Sequence, residues 1–71
     1  LAYFLEVARQ RSFTRAAESL GQRKSQVSRS VSALEAALGV KLLERTTRSL
    51  SLTEFGRDLH QRALAILAAI E

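Results

Sequence analysis

Seventy-one residues allow one domain at most, near the lower limit at which an uncrosslinked core supports a fold, and 46% apolar residues are enough for such a core. The absence of Cys excludes disulfides and thiolate metal sites and is compatible with a reducing cytosol, while no apolar run is long enough to span a bilayer and no signal-peptide pattern opens the chain. The net charge of +4 lies between residues 23 and 48, where Arg23, Lys24, Arg29, Lys41, Arg45 and Arg48 are set against Glu35 and Glu44, a footprint expected for a polyanion partner but also shown by plain solvated faces.

Leu1, Phe4, Leu5 and Ala8 recur at helical spacing and predict a first amphipathic helix ending near Arg9 to Arg11. Ser12 is a good N-cap for a second, short helix with Phe13, Ala16, Ala17 and Leu20 on its inner face, and Gly21 closes it. A third helix, about residues 24–38, follows almost at once, with Val27, Val31, Leu34 and Leu38 inward and Gly39 as its stop. Two helices joined so tightly must cross steeply, as in a helix-turn-helix.

Opposite the Val27 and Val31 stripe fall Ser25, Arg29, Ser32 and Ala36, with Ser28 and Ala33 on the flanks. A solvated helix face usually carries long Glu and Lys pairs, whereas this one is short-chained apart from Arg29 and has no acid before Glu35. Such a face can enter the major groove of B-DNA, so residues 22–32 read as a working surface and not as a linker.

After Gly39 the period changes, and Leu42, Leu43, Leu50 and Leu52 among Thr and Ser residues predict two short strands, about 43–45 and 49–52, with Thr46, Thr47 and Arg48 at the tip. A hairpin appended to a helix-turn-helix is a wing, and its cations can reach phosphates or a minor groove; the plain alternative is that Arg45 and Arg48 are ordinary exposed turn residues. Thr53 then caps a last helix with Glu54 in its first turn, and Gly56 permits close packing or close approach to a backbone. Along that helix Leu59, Ala63, Ile66 and Ile70, with Leu67 beside them, form a seam resembling that of a coiled coil. It reads as a partner surface, most simply a two-fold dimer contact, against the alternative of a helix packed only on its own domain.

Other classes find little support. His60 is the only His and has no Cys beside it, three scattered glycines make no phosphate loop, and Asp58 with Glu54 is a surface pair and not an acid/base dyad, so an enzyme is not expected. The last helix has an acidic polar face, which argues against a membrane-surface role. A helix-mediated protein-interaction module without DNA binding is the stronger rival.

The series FLEVARQRSFTRAAESLG and SQVSRSVSALEAALGVKLLERTTRSLSLTEFG resembles the N-terminal DNA-binding domain of LysR-type transcriptional regulators. The likeness extends over essentially the whole chain, through SFTRAAESL in the second helix, VSRSVSALEAALGV in the third, LLERTTR in the wing and LTEFG at the start of the last helix. It implies a mainly α, winged helix-turn-helix fold with a three-helix core, a small β-hairpin wing and a long C-terminal linker helix. The expected division is a DNA-binding unit over 1–52 and a dimerisation helix over 53–71. The chain then reads as a module of a longer cytoplasmic protein whose further domain binds a small-molecule inducer. Double-stranded DNA and a second copy are the implied partners, with higher oligomers open for the longer protein; no cofactor and no membrane are implied.

Carried over position by position, the base-contacting residues correspond to Lys24, Ser25, Ser28 and Arg29, and the minor-groove Arg to Arg48. Ser12, Thr14 and Thr47 correspond to phosphate contacts, and Arg23, Ser32 and Arg45 complete the set expected along the DNA backbone. The departures concentrate at Gln22, Arg23 and Lys24, where the family usually has an aliphatic residue, then Ser or Thr, then Gln. Gln can bond adenine in a bidentate way, whereas Lys only donates and favours guanine O6 and N7 or a phosphate. Arg23 stands where a capping residue is usual, so Ser25 is an alternative cap that would start the helix later and move Lys24 onto the turn as a phosphate contact.

Overall fold

A computed structural model describes residues 1–46 and 49–70. Its elements run α1 (Ala2–Gln10), α2 (Phe13–Leu20), α3 (Lys24–Leu38), β1 (Leu43–Arg45), β2 (Leu50–Leu52) and α4 (Glu54–Ile70). The mainly helical fold is a winged helix-turn-helix, with α1 to α3 around one core and the two strands forming an antiparallel hairpin.

Local signals start and stop the helices. The Ser12 hydroxyl accepts the Arg15 backbone N–H at 3.1 Å, satisfying one of the donors left open at the start of α2. Gly21 ends that helix in the left-handed region at φ 67°, and the Gln22 N–H returns to the Ala17 carbonyl at 3.0 Å, so the chain reverses into α3 within a few residues. Arg11 ends α1 in the same region at φ 53°, the one non-glycine there among the described residues.

One boundary alternative falls away and one expectation needs correction, while α3 runs from Lys24 to Leu38 as expected. The later start of α3 at Ser25 is not adopted: Arg23 is the N-cap without a side-chain hydrogen bond, and its carbonyl accepts from Gln26 and Val27 at 3.0 and 3.1 Å. The strand expected from Ser49 begins at Leu50, because Ser49 is drawn into the turn, where its N–H donates to the Thr46 hydroxyl at 3.0 Å and its carbonyl accepts from the Thr46 N–H at 2.9 Å.

Phe4 and Val7 of α1, Phe13, Ala16 and Ala17 of α2, Val27 and Val31 of α3, and Leu42 and Leu43 at the hairpin root make the core. The hairpin register pairs Leu43 with Leu52, Glu44 with Ser51 and Arg45 with Leu50, so the apolar pair at its root faces inward. On α1, Glu6 binds Arg9 at 2.7 Å, and hydrogen bonds from Arg9, then Ser19 and Gln10, hold its carboxyl down at about 2.

Leu42, fully buried, is held from three directions. Glu35 of α3 turns one carboxylate oxygen to the backbone N–H groups of Leu42 and Leu43, at 2.8 and 3.2 Å, while its other oxygen lies 3.9 Å from the Lys41 ammonium. The Leu42 carbonyl accepts the Thr53 N–H at 3.0 Å. Thr53 in turn donates its hydroxyl to the Lys41 carbonyl at 2.7 Å and accepts from the Gly56 N–H at 3.0 Å, capping α4. Gly56 then lies against the Leu42 carbonyl so closely that an added Cβ would overlap its oxygen and stand 3.0 Å from its carbon. The expected close approach at Gly56 is therefore a contact between α4 and the hairpin root.

Candidate nucleic-acid interface

The outer face of α3 is set by what lies beneath it. Val27 is 0% exposed and Val31 1%, which rotates Ser25, Arg29 and Ser32 into solvent and leaves Ser28 half-buried between the faces. Arg23 and Lys24, at the start of the same helix, are exposed. Glu35 is the first acid along α3, and its carboxylate is spent on the Leu42 and Leu43 amides, so no acid interrupts the exposed surface from Arg23 to Ser32. The result is a cationic, acid-free ridge whose middle carries only short hydroxyls around Arg29, so that a duplex can approach it closely.

Beside this ridge runs a shallow groove between the start of α2, the start of α3 and the turn end of the hairpin. Arg11, Ser12, Thr14, Lys24, Arg45 and Thr46 border it. The Ser12 hydroxyl accepts the Arg15 N–H and keeps its own proton as a donor. The positive end of the α2 dipole points the same way, favouring an anion. Arg45 is placed by a contact that periodicity does not reveal: its guanidinium carbon lies 4.2 Å from the centroid of the Phe13 ring. Only an eye for a cation on a strand next to a helix-capping Ser-Phe pair would have raised it. Thr14 is exposed on the same helix. Thr47 and Arg48, expected at the tip, lie outside the described residues.

The structure thus gathers Ser12, Thr14, Lys24 and Arg45 around one groove and ranges Ser25, Arg29 and Ser32 along the adjoining face. It divides the α4 stripe. Leu59 packs against the core and Ala63 is 5% exposed, so this half of the seam is spent inside the domain. Ile66, Leu67 and Ile70 are 62%, 48% and 76% exposed and are covered by no described residue to that extent. His60 is half-buried and, among the described residues, no cluster of His, Cys, Asp or Glu could hold a metal ion. No described helix is long and apolar enough to cross a membrane.

Comparison with known proteins bears on the family and the fold. The family described as bacterial regulatory helix-turn-helix protein, lysR family, matches residues 1–57. The chain is 54% identical over 67 residues to the HTH-type transcriptional regulator CrgA of Neisseria meningitidis, covering 94% of this chain and 22% of that protein. It is 42% identical over 69 residues to the probable cat1 operon transcriptional activator of Acinetobacter lwoffii, covering 97% of this chain and 23% of the relative. The chain therefore spans between a fifth and a quarter of the length of these relatives. Among solved structures, the BenM DNA-binding domain in complex with catB site 1 DNA superposes with a TM-score of 0.89 at 37% identity, covering 96% of this chain and 76% of that one. The CbnR DNA-binding domain in complex with DNA gives 0.86 at 38% identity, covering 96% and 78%.

Proposed function

Because this chain belongs to the LysR family of bacterial regulatory helix-turn-helix proteins, which are DNA-binding transcriptional regulators and not enzymes, we propose that it reads a two-fold-related site on double-stranded DNA as a dimer, in the cytoplasm. The observation that carries this reading is the acid-free, short-chained outer face of α3 standing over buried Val27 and Val31.

In this reading α3 lies in the major groove. Arg29 is the long donor among short hydroxyls and takes a guanine edge in bidentate fashion, with Ser25 and Ser28 beside it. Lys24 stays among the base readers, since α3 begins on it; as a donor only, it selects guanine where Gln would accept adenine. Arg23, with no side-chain cap to offer, is relieved by a phosphate near the start of α3, and Ser12, Thr14, Ser32, Arg45 and Thr47 hold the backbone to either side. Arg48 enters the minor groove, an assignment supported by the sequence resemblance alone.

The dimer contact falls to the exposed half of the α4 seam, Ile66, Leu67 and Ile70, which Leu59 and Ala63 support from within the domain. A small-molecule inducer, and any assembly beyond the dimer, belong to the remainder of a longer protein of the relatives' size.

Duplex binding followed by fluorescence anisotropy across a salt series tests the reading. Affinity should fall with a log–log slope of about −0.9 per neutralised phosphate. Salt-independent affinity would rule out phosphate contacts of this kind, and no binding even at low salt would favour the helix-mediated interaction module instead.

A further inference from the structure

Phe13 has two neighbourhoods. It belongs to the core cluster and is 8% exposed, while the Arg45 guanidinium lies over its ring, 4.2 Å from the centroid. Arg45 is itself exposed, and among the described residues no carboxylate lies within ion-pair distance of it. It borders the groove together with Ser12, Thr14 and Lys24. Filling the core does not need an aromatic ring at position 13, since Leu is apolar and of similar reach; holding a cation does, because only the ring carries a negative π face.

We infer that Phe13 is a positioning residue for DNA binding: its ring holds the Arg45 guanidinium at the mouth of the groove between α2 and the turn end of the hairpin, where it grips one backbone phosphate. The inference rests on the DNA-binding reading above. A guanidinium carbon held 4.2 Å from the ring centroid leaves N–H donors for the two-pronged bond that a phosphate accepts. The long Arg side chain would otherwise sample many rotamers in solvent, so part of its ordering is done before DNA arrives. The start of α2, with the Ser12 hydroxyl proton and a favourable dipole, faces the same phosphate.

Phe13→Leu, Phe13→Tyr, Arg45→Ala, Arg45→Lys and the Phe13→Leu/Arg45→Ala double variant decide the matter through affinity and salt slope on random duplex, with thermal melts alongside. Arg45→Ala should reduce the magnitude of the slope by about 0.9, one phosphate's worth, Phe13→Leu should weaken binding several-fold, and the double variant should lose no more affinity than Arg45→Ala alone. Phe13→Tyr should keep the wild-type affinity. Phe13→Leu with a lowered melting temperature but wild-type affinity would show that the ring only fills the core. If Phe13→Leu does not fold, Arg45→Lys carries the test: a compact ammonium stacks and forks poorly, so it should bind several-fold more weakly, and wild-type affinity would overturn the inference. Failure of the wild-type protein to bind duplex would overturn the DNA reading and this inference together, whereas wild-type binding with an indifferent Phe13 overturns this inference alone.

Discussion

Gly56→Ala is expected to lower the melting temperature, by up to about 15 °C in a circular-dichroism melt. The added methyl would overlap the Leu42 carbonyl oxygen, and neither side can give way cheaply. Leu42 is fully buried and fixed by the Glu35 carboxylate and the Thr53 N–H, while α4 is pinned by the Thr53 cap. Forced overpacking costs about 1–3 kcal/mol or more. Better helix propensity returns at most ~1 kcal/mol. With about 4–8 °C per kcal/mol for a domain of this size, the net loss falls within that range. Gly21→Ala makes an informative contrast, since its Cβ would meet nothing within 4 Å and only the left-handed φ of 67° opposes it; about 1–2 kcal/mol is expected there. Equal, small shifts for both would show that α4 retreats from Leu42 without cost.

Arg29→Ala should weaken binding to the preferred site by about 1–3 kcal/mol, and it should weaken binding to random duplex much less. Arg29 is the one long side chain at the centre of the exposed α3 face, so in the proposed docking it is the one that would reach base edges where the neighbouring serines offer only short hydroxyls. Arg45→Ala, removing a cation from the groove beside that face, should weaken every sequence to a similar degree. Sites selected from a random duplex library, then titrated alongside unselected duplex, supply the comparison. Equal losses for both substitutions on both classes of DNA would remove the distinction between reader and anchor.

The parts of this fold that can be read without coordinates are those whose cause is local. Ser12, Gly21, Gly39 and Thr53 bound their helices because capping and left-handed turns involve neighbours within a few residues. The outward face of α3 follows from the Val27 and Val31 spacing by simple rotation. Contacts between elements are another matter. Glu35 looks from sequence like the acid that ends a basic face, yet it binds amides seven and eight residues ahead. Arg45 and Phe13 lie far apart in sequence, and no period joins them. The α4 stripe is uniform in sequence, but it runs past the end of the core, so Ala63 is buried while Ile66 and Ile70 emerge. Gln22 to Lys24 depart from the family's usual residues; there the burial of Val27 and the backbone bonds at Arg23 start the helix on Lys24, without help from a side-chain cap.

Glu35 also bears on how such a protein can diversify. A protein that touches two grooves of one duplex needs a constant interval between the element in each. In the proposed docking, the bonds from the Glu35 carboxylate to the first residues of the hairpin, with those from Thr53 to Lys41 and Leu42, help to set that interval. Residues in the hairpin turn can therefore change, altering what is met in the second groove, while the spacing to the first stays calibrated.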